Sequence, residues 1–587
     1  MTNLSDGGDP DGQATAAVIP FGDGAFLVEL GDVQAAHHLV AAIEATRALP
    51  GAPTGLGEAV VGFGNVVVHL ELEHGPPDEV EEWLVALARR DPATGPERVP
   101  TGGAAPVVIP VTFDGPDLAE VAAHLGRTVA EVAAALCHAE LQVAFVGFAP
   151  GFPYLVGLPP DLASVARRST PRPSVPAGSV AVAGGFASVY PGATPGGWML
   201  LGRTSLPLFD PARPPYALLH PGDTVRFSRV DPSRSPSRTA PGSLTVASGR
   251  RPLPDPRPRL TSGGPAYAEV IRPGLLSLVQ DGGRRSGALG VPRAGPADPA
   301  AMRLANRMVG NPDDAATVEV TATGPKFHFS SSTHLAVVGA GPDAAEVEVD
   351  DRPVGSGVVV PVAAGQMVGV GRIHTGLRAY VAVSGGFDLP LVMGSCSSDV
   401  LCGLGPGPLV IGDRLGIGTP TRPHGLLARP TEPPAAGRHR TLRVVAGPHL
   451  LAAGRYQQLL RRRWTVGDTS NRVGLRLVAG PDDPPPEAPA LTESPGGIAS
   501  TGMTVGAVQV PPDGHPIVLL PDHATVGGYP VACCVITADF PVLGQLGPGD
   551  TVSLADVDLT AARGARQRSE HALARRVSGW FPTVAGT

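Results

Sequence analysis

The chain has 587 residues, 77 of them glycine and 66 proline. That share, about a quarter, approaches the level of low-complexity chains, but 43% hydrophobic against 17% charged residues is the balance of a folded protein. With 4% aromatic residues and 45 basic against 53 acidic ones, a net charge of −8, the chain has no overall basic field for nucleic acid or an anionic membrane.

Taken in chain order, residues 1–14 read as a polar, disordered tail. Segments 36–48 and 78–90 have helical periodicity and basic residues near their ends, and the second starts on Asp78-Glu79, which suits the helix dipole. The apolar run between them, 59–72, reads as strands. Residues 15–104 are therefore expected to be a small α+β domain. One or two helices are expected within 117–139, followed by short β runs punctuated by Gly and Pro, so 105–230 is expected to be a barrel. Seven prolines within 231–258 mark a linker over 231–266. Two further barrel domains are expected over 267–438 and 439–557, then a helix or tail over 558–587. Proline-rich loops are read at 420–438 and 481–489.

A weak internal repeat supports this division. VPAGSVAVAGGFASVYP at 175–191 and VPPDGHPIVLLPDHATVGGYP at 510–530 share a Val-Pro start and a Tyr-Pro end, and each precedes the pentapeptide Pro-Gly-Asp-Thr-Val, at 221–225 and 548–552. A third region runs from 360–371 to Ile411-Gly412-Asp413-Arg414-Leu415. Gly-Asp before an apolar residue is a turn into a closing strand, because Gly supplies positive φ and Asp caps the turn. The expectation is a mainly β fold with some α+β content and about three related barrel units.

Nothing in the first 20 residues has the basic start of a secretion signal, and no apolar run approaches the roughly 18 residues of a membrane span. The five cysteines, Cys137, Cys396, Cys402, Cys533 and Cys534, form no CxxC pair or disulfide framework. A cytoplasmic location is expected.

The densest motifs lie at 146–204. They comprise Gly147-Phe148-Ala149-Pro150-Gly151-Phe152-Pro153-Tyr154, then Arg167-Arg168, Pro171-Arg172, Tyr190-Pro191, Pro195-Gly196-Gly197-Trp198 and Gly202-Arg203-Thr204. This stretch resembles the B subunit of the bacterial ATP-dependent 5-oxoprolinase, the allophanate hydrolase subunit 1 family. The second half resembles the C subunit, the allophanate hydrolase subunit 2 family. It does so through Val279-Gln280-Asp281 with Arg284, Gly290-Val291-Pro292, Asp298, Ala305-Asn306, Glu319-Val320-Thr321, Ser470-Asn471-Arg472 and Gly527-Gly528-Tyr529-Pro530. The resemblance implies a fusion of B and C, with cyclophilin-like barrels, one in B and two in C. It also implies an amidohydrolase reaction on a cyclic amide: ATP-driven opening of 5-oxo-L-proline to L-glutamate, shared with a separate A-type 5-oxoprolinase protein. Two rivals come with it, a biotin-dependent urea or amide carboxyltransferase and a regulatory kinase-inhibitor-type binding protein. Urea-type chemistry would need a biotin carrier elsewhere, since Lys326 is the only lysine and no biotinyl-lysine motif surrounds it. Assembly with further copies of the chain, as a homo-oligomer, is allowed by the sequence but not read from it.

A lactam is a stable amide, and phosphorylating its oxygen makes the carbonyl a good electrophile, so ATP must be held and its charge offset. No GxxxxGK[ST] is present, which leaves arginine, backbone N–H groups or Mg²⁺ for that task. Arg168, Arg172 and Arg203 are the expected phosphate contacts, and Phe152, Tyr154, Tyr190 and Trp198 the expected walls of a nucleotide or lactam pocket. In the second half, Asp522, His523, Tyr529 and Arg472 are the catalytic candidates, with Asp522 as base or Mg²⁺ contact, His523 as proton shuttle and Tyr529 as donor to a carbonyl oxygen. Arg472 and Asn471 are the expected anion or substrate contacts, and Asp281 and Arg284 belong to the same polar set. No dedicated metal-ligand set is expected. The chain departs from its relatives at Phe186-Ala187, where many carry Gln-Thr, and at Cys396, where many carry Arg.

Overall fold

The computed structural model describes residues 16–89, 105–230, 260 and 264–578, apart from 342, 420–438, 453, 481–482 and 489–497. The expected N-terminal tail, the proline-rich loop 420–438 and nearly all of the linker lie outside the described residues.

The N-terminal unit is a four-stranded antiparallel sheet in the order Ala17–Pro20, Ala25–Glu29, Asn65–Leu70, Leu56–Val61. Two helices, Val33–Arg47 and Pro77–Ala88, cover one face. The first starts where the Asp32 carboxylate accepts the Ala35 N–H at 2.8 Å, an N-cap that satisfies one of the orphan donors of a helix start. Side chains alternate across a strand, so Val66, Val68 and Leu70 meet the helices while Val67 faces the other way. Phe21, Ala25, Leu27 and Val67 pack with Met503, Ala507, Leu519, Val531 and Cys534 of the last barrel. Burying a side chain of this size contributes about 1.5–3 kcal/mol, so the two halves of the chain are joined by a shared core as well as by the intervening segment.

Two helices, Leu118–His124 and Val129–His138, follow strand Val107–Val111. The second begins with a capping box in which Thr128 and Glu131 satisfy each other's backbone N–H groups, as the Thr-x-x-Glu spacing dictates. Seven strands of this unit form a sheet whose edges are Met199–Arg203 and Val107–Val111, while Arg172–Val175 and Thr194–Gly196 pair in a separate two-stranded sheet. Those edges meet: Thr112 and Arg203 exchange two backbone hydrogen bonds of 2.9 Å, so the sheet closes on itself. The last unit is a closed seven-stranded barrel in the order His439–Ala446, Val531–Val535, Ala507–Gln509, Ile517–Leu519, Gly474–Val478, Trp464–Val466, Thr551–Asp556.

Ranked by chain position, the strands of the two barrels follow the same cyclic order. In each, the first strand runs parallel to the last, Val107–Val111 beside Thr224–Arg229 and His439–Ala446 beside Thr551–Asp556. Both Pro-Gly-Asp-Thr-Val peptides turn into that last strand. The longer Val-Pro to Tyr-Pro peptides are not equivalent, however. Val175-Pro176 precedes strand Ser179–Ala183, whereas Val510-Pro511 follows its counterpart Ala507–Gln509. Between these barrels, the middle unit has a seven-stranded and a five-stranded sheet around one core. Its late strand Arg414–Ile417 pairs antiparallel with Tyr267–Arg272, so it follows a different plan. Helix Pro299–Met308 packs on the five-stranded sheet, and helix Leu559–Ser578 packs against it.

Candidate functional site

The motif loops of the two halves meet at one junction. An added Cβ at Gly147 would lie 2.6 Å from a Val526 methyl, and one at Gly290 would lie 2.6 Å from the Ala149 carbonyl, so both positions need glycine for close approach. The Gly151 N–H donates to Leu289 O at 2.8 Å, the Ala294 N–H to Pro521 O at 3.1 Å and the Phe63 N–H to Ser500 O at 2.7 Å. Phe148 and Ala294, with φ of 68° and 56°, lie in these loops, and Tyr216 and Met393, with φ of 69° and 54°, pack beside them with Val291. A side chain held at positive φ costs about 1–3 kcal/mol, and such strain gathers where a surrounding structure enforces it, often at sites of function.

On the first-half side, the expected pocket walls pack on one another. Phe152 makes edge contacts with Tyr154, Tyr190 and Trp198 at centroid distances of 5.2, 5.1 and 5.6 Å, and Tyr154 stacks on Phe145 at 4.2 Å. Burial pushes the Tyr154 hydroxyl up to about 12, so it stays protonated and can only donate or accept a hydrogen bond. Trp198 is 6% exposed, with the exposed Arg167 guanidinium 6.0 Å above its ring. Phe186, where many relatives carry glutamine, fills the edge of this cluster against Phe63 and Tyr154 at 5.5 Å each.

The three arginines expected to clamp phosphate have carboxylate partners. Arg168 and Arg172 bond the buried Asp117 at 3.2 and 2.6 Å, and that carboxylate also accepts the Leu200 N–H at 2.7 Å. Together they fix the loop carrying Trp198 in place. Arg203 pairs with Asp114 at 2.9 Å and remains 69% exposed.

On the second-half side, Arg472 and Asp522 are buried in an ion network. Arg472 donates to Asp522 at 2.9 and 3.2 Å, to Glu319 at 2.5 Å and to Gly295 O at 2.6 Å. Asp522 also accepts the Val400 N–H at 3.0 Å. Burial raises the Glu319 carboxyl, but Arg472 and Arg378 outweigh that and hold it below its usual range. Arg472, expected as an anion contact, and Asp522, expected as a base or Mg²⁺ contact, are both buried and spend these hydrogen bonds inside the protein. The chain continues through Tyr380, whose hydroxyl donates to Glu319 at 2.7 Å and accepts the Asp298 N–H at 2.8 Å, to Gln545, which donates to Asp298 at 2.8 Å. It locks the middle unit to the last barrel.

Asp281 and Arg284 likewise act on the fold. Asp281 accepts from Ser395 Oγ, Ser397 Oγ and the Cys396 N–H at 2.5, 2.6 and 2.7 Å, and buried Arg284 donates to Val392 O and Ser397 O. Both pin the segment 392–397, and an arginine at 396 would face Arg284 across the same carboxylate. Asn471, an expected substrate contact, is exposed, and its side-chain oxygen caps a turn by accepting the Val473 N–H at 2.8 Å. Tyr529 is 45% exposed. His523 is buried, with Nδ1 2.8 Å from Ala524 O, and burial pushes its imidazole down.

Six residues absent from the sequence-derived set also belong to the junction. Glu58 of the N-terminal sheet accepts the Ala288 N–H at 3.3 Å, and burial pushes its carboxyl up to about 7. Burial pushes His69 down to about 3, helped by the nearby charges of His523 and Arg293. Arg293 lies 3.7 Å from Glu71, which also pairs with Arg285 at 3.1 Å. Burial, with Asp522 beside it, pushes Asp399 up to about 6. The available signal was a histidine interrupting the apolar run Val66-Val67-Val68-His69-Leu70. Asp399 Oδ2, Arg284 Nη1, Ser398 Oγ and Thr525 Oγ1 are buried without a protein partner, the condition in which water or a ligand is usually held.

Comparison with known proteins covers both halves. Residues 16–219 match the family described as carboxyltransferase domain, subdomain C and D, and residues 289–556 match carboxyltransferase domain, subdomain A and B. The 5-oxoprolinase C subunit of Escherichia coli (strain K12) is 36% identical over 306 residues, covering 51% of this chain and 94% of that protein. The 5-oxoprolinase B subunit of Escherichia coli O157:H7 is 45% identical over 173 residues, covering 29% of this chain and 76% of that protein. A urea amidolyase of Lachancea kluyveri is 29% identical over 345 residues, which is 54% of this chain but 18% of that protein. The crystal structure of TTHA0988 superposes with a TM-score of 0.76 at 33% identity, covering 90% of this chain and 99% of that one. A first half allied to the one family and a second half allied to the other, folded against each other through a shared core, mean that this chain belongs to the families of the B and C subunits of 5-oxoprolinase, joined in that order in a single polypeptide.

Proposed function

We propose that this chain is the fused B–C component of an ATP-dependent 5-oxoprolinase, binding ATP and activating 5-oxo-L-proline for ring opening to L-glutamate with a separate A-type 5-oxoprolinase protein. The observation that carries this reading is the junction itself, where the motif loops shared with the B-type relatives touch those shared with the C-type relatives. ATP would supply the phosphoryl group that turns the lactam carbonyl into an electrophile. Of the first-half arginines, Arg167 over Trp198 and Arg203, whose pair with Asp114 is exposed to solvent, fit a polyphosphate best, because buried Asp117 holds Arg168 and Arg172. A Mg²⁺ ion would accompany the polyphosphate, as Mg²⁺ usually does with substrate phosphates. Tyr529, exposed beside Gly528, suits a hydrogen bond to the lactam oxygen.

No described helix is long and apolar enough to cross a membrane, which fits the proposed cytoplasmic setting. Carboxyltransfer, the reading favoured by the urea amidolyase match, would depend on a separate biotin carrier, because no biotinyl-lysine motif surrounds Lys326, the only lysine. The test is an assay of the pure chain with and without the A-type protein, following ADP and glutamate. Lactam-dependent ATP turnover is expected with that protein present, and its absence in both conditions would overturn the proposal. Tyr529→Phe is expected to lower turnover about 10-fold or more while leaving the melting temperature unchanged, the size of effect seen when one positioned donor is removed.

A further inference from the structure

Between the middle unit and the last barrel lies a cavity of about 820 Å³, within the roughly 300–1,000 Å³ range of ligand pockets. Its lining comes from helix Pro299–Met308, strand Thr333–Gly339 and the turn 374–377 of the middle unit, from segment 538–550 of the last barrel, and from helix Leu559–Ser578. Leu304, Val338, Leu377, Val542, Leu546 and Leu573 supply its apolar walls. Its charged members are Asp298, His374, Arg440 and Asp550. His374 pairs with Glu346 at 2.9 Å, and Asp550 accepts the Gly547 N–H at 2.9 Å. Asp298, 3% exposed, meets neutral donors: Oδ1 accepts the Ala301 N–H at 3.0 Å and Oδ2 the Gln545 amide at 2.8 Å. A carboxylate offers about four acceptor positions, so both oxygens keep capacity for a ligand. The buried chain that ends here holds three carboxylates, Asp522, Glu319 and Asp298, against two guanidiniums, Arg472 and Arg378. Both guanidiniums pair with Glu319 and Arg472 also with Asp522, so among these groups the carboxylate left without a cation is the one at the cavity. Burial, with Glu319 nearby, pushes Asp298 up to about 6, which leaves it largely ionised at neutral pH.

We propose that this cavity is a ligand site separate from the junction, taking a small protonated amine with an apolar body, the ammonium on Asp298 and the body against the apolar walls. Buried charge is ordinarily paired, and the ammonium supplies the cation that Asp298 lacks, through charge-assisted N–H···O bonds. A ligand of the same shape that carries a carboxylate instead would set a like charge beside Asp298, so the site discriminates by repulsion as well as attraction. Asp298 caps helix Pro299–Met308, and Leu546 belongs to the last barrel, so an occupant touching both holds the two units at once. Binding to the folded chain then raises its melting temperature by mass action. Nothing in this site depends on the reaction proposed above.

The test is calorimetric titration of the full-length chain with three indoles of similar shape: tryptamine, neutral tryptophol and indole-3-propionate. Tryptamine is expected to bind about 10-fold tighter than either of the others, or more, the size of one charge-assisted hydrogen bond, and to raise the melting temperature. Equal affinity for all three, tighter binding of the propionate, or no binding of tryptamine overturns the proposal. Asp298→Asn keeps an N-cap acceptor for the Ala301 N–H but removes the charge. It is expected to weaken tryptamine about 10-fold or more while leaving tryptophol within about 3-fold, and an unchanged tryptamine affinity sinks the assignment of Asp298. Where Asp298→Asn does not fold, Ala572→Phe narrows the cavity from helix Leu559–Ser578. That variant is expected to weaken tryptamine about 10-fold, and wild-type affinity would place the amine elsewhere on the protein and overturn the site.

Discussion

The two closed barrels share a strand order but are filled differently where they meet. The first presents interlocking rings, Phe152, Tyr154, Tyr190 and Trp198, braced from outside by Asp117 and its two arginines. The last presents a buried ionic chain running from Asp522 through Arg472 to Glu319. A common wall therefore does not set the chemistry. One end is held by apolar packing, which tolerates water poorly but has no charge to lose. The other is held by charges that must all stay paired.

Removing one member should separate these modes most sharply. Arg472→Ala leaves Glu319 and Asp522 buried without their common partner, so a loss of about 3–5 kcal/mol is expected in urea unfolding; under 1 kcal/mol would mean the network is not holding the two units together. Trp198→Ala removes the ring that Phe152 and Tyr154 pack against, and a loss of about 3 kcal/mol is expected, with little dependence on salt. For Glu58, the folded-state value near 7 lies above the ordinary value of 4.5. Its stabilising contribution is thus complete below about 4.5 and is lost as pH rises through 7. Glu58→Gln should accordingly flatten the fall in melting temperature between pH 5 and pH 8, and an unaltered slope would show that Glu58 is not the group responsible. Arg172→Ala should cost about 1–3 kcal/mol, because buried Asp117 loses its shorter ion pair. Arg203→Ala should cost less than about 1 kcal/mol, as expected for an exposed pair.

The same contrast explains what could be read from the sequence. The mainly β class, the N-terminal α+β unit and the strand closed by Pro-Gly-Asp-Thr-Val were legible, because periodicity and turn chemistry act over a few residues. The aromatic and Gly-Pro motifs stood out in the sequence, and the structure gathers them at one junction. Their roles were less legible. Arg472 and Asp522 are 50 residues apart, and Glu319 lies 153 from Arg472, so nothing local shows that these charges cancel. Phosphate-seeking and carboxylate-pairing arginines look alike until Asp117 is seen between Arg168 and Arg172.

The apolar outer face of the N-terminal sheet has a consequence for biosynthesis. Phe21, Leu27 and Val67 emerge from the ribosome early, but the residues that cover them, Met503, Leu519 and Cys534, come several hundred residues later. At roughly 5–20 residues per second, that sticky face is uncovered for tens of seconds in every newly made molecule. A chain that joins both halves guarantees its own cover at a fixed ratio, but only at the end of translation. Nascent-chain holding, more than the stability of the finished fold, is then the step at which expression of this protein would be limited.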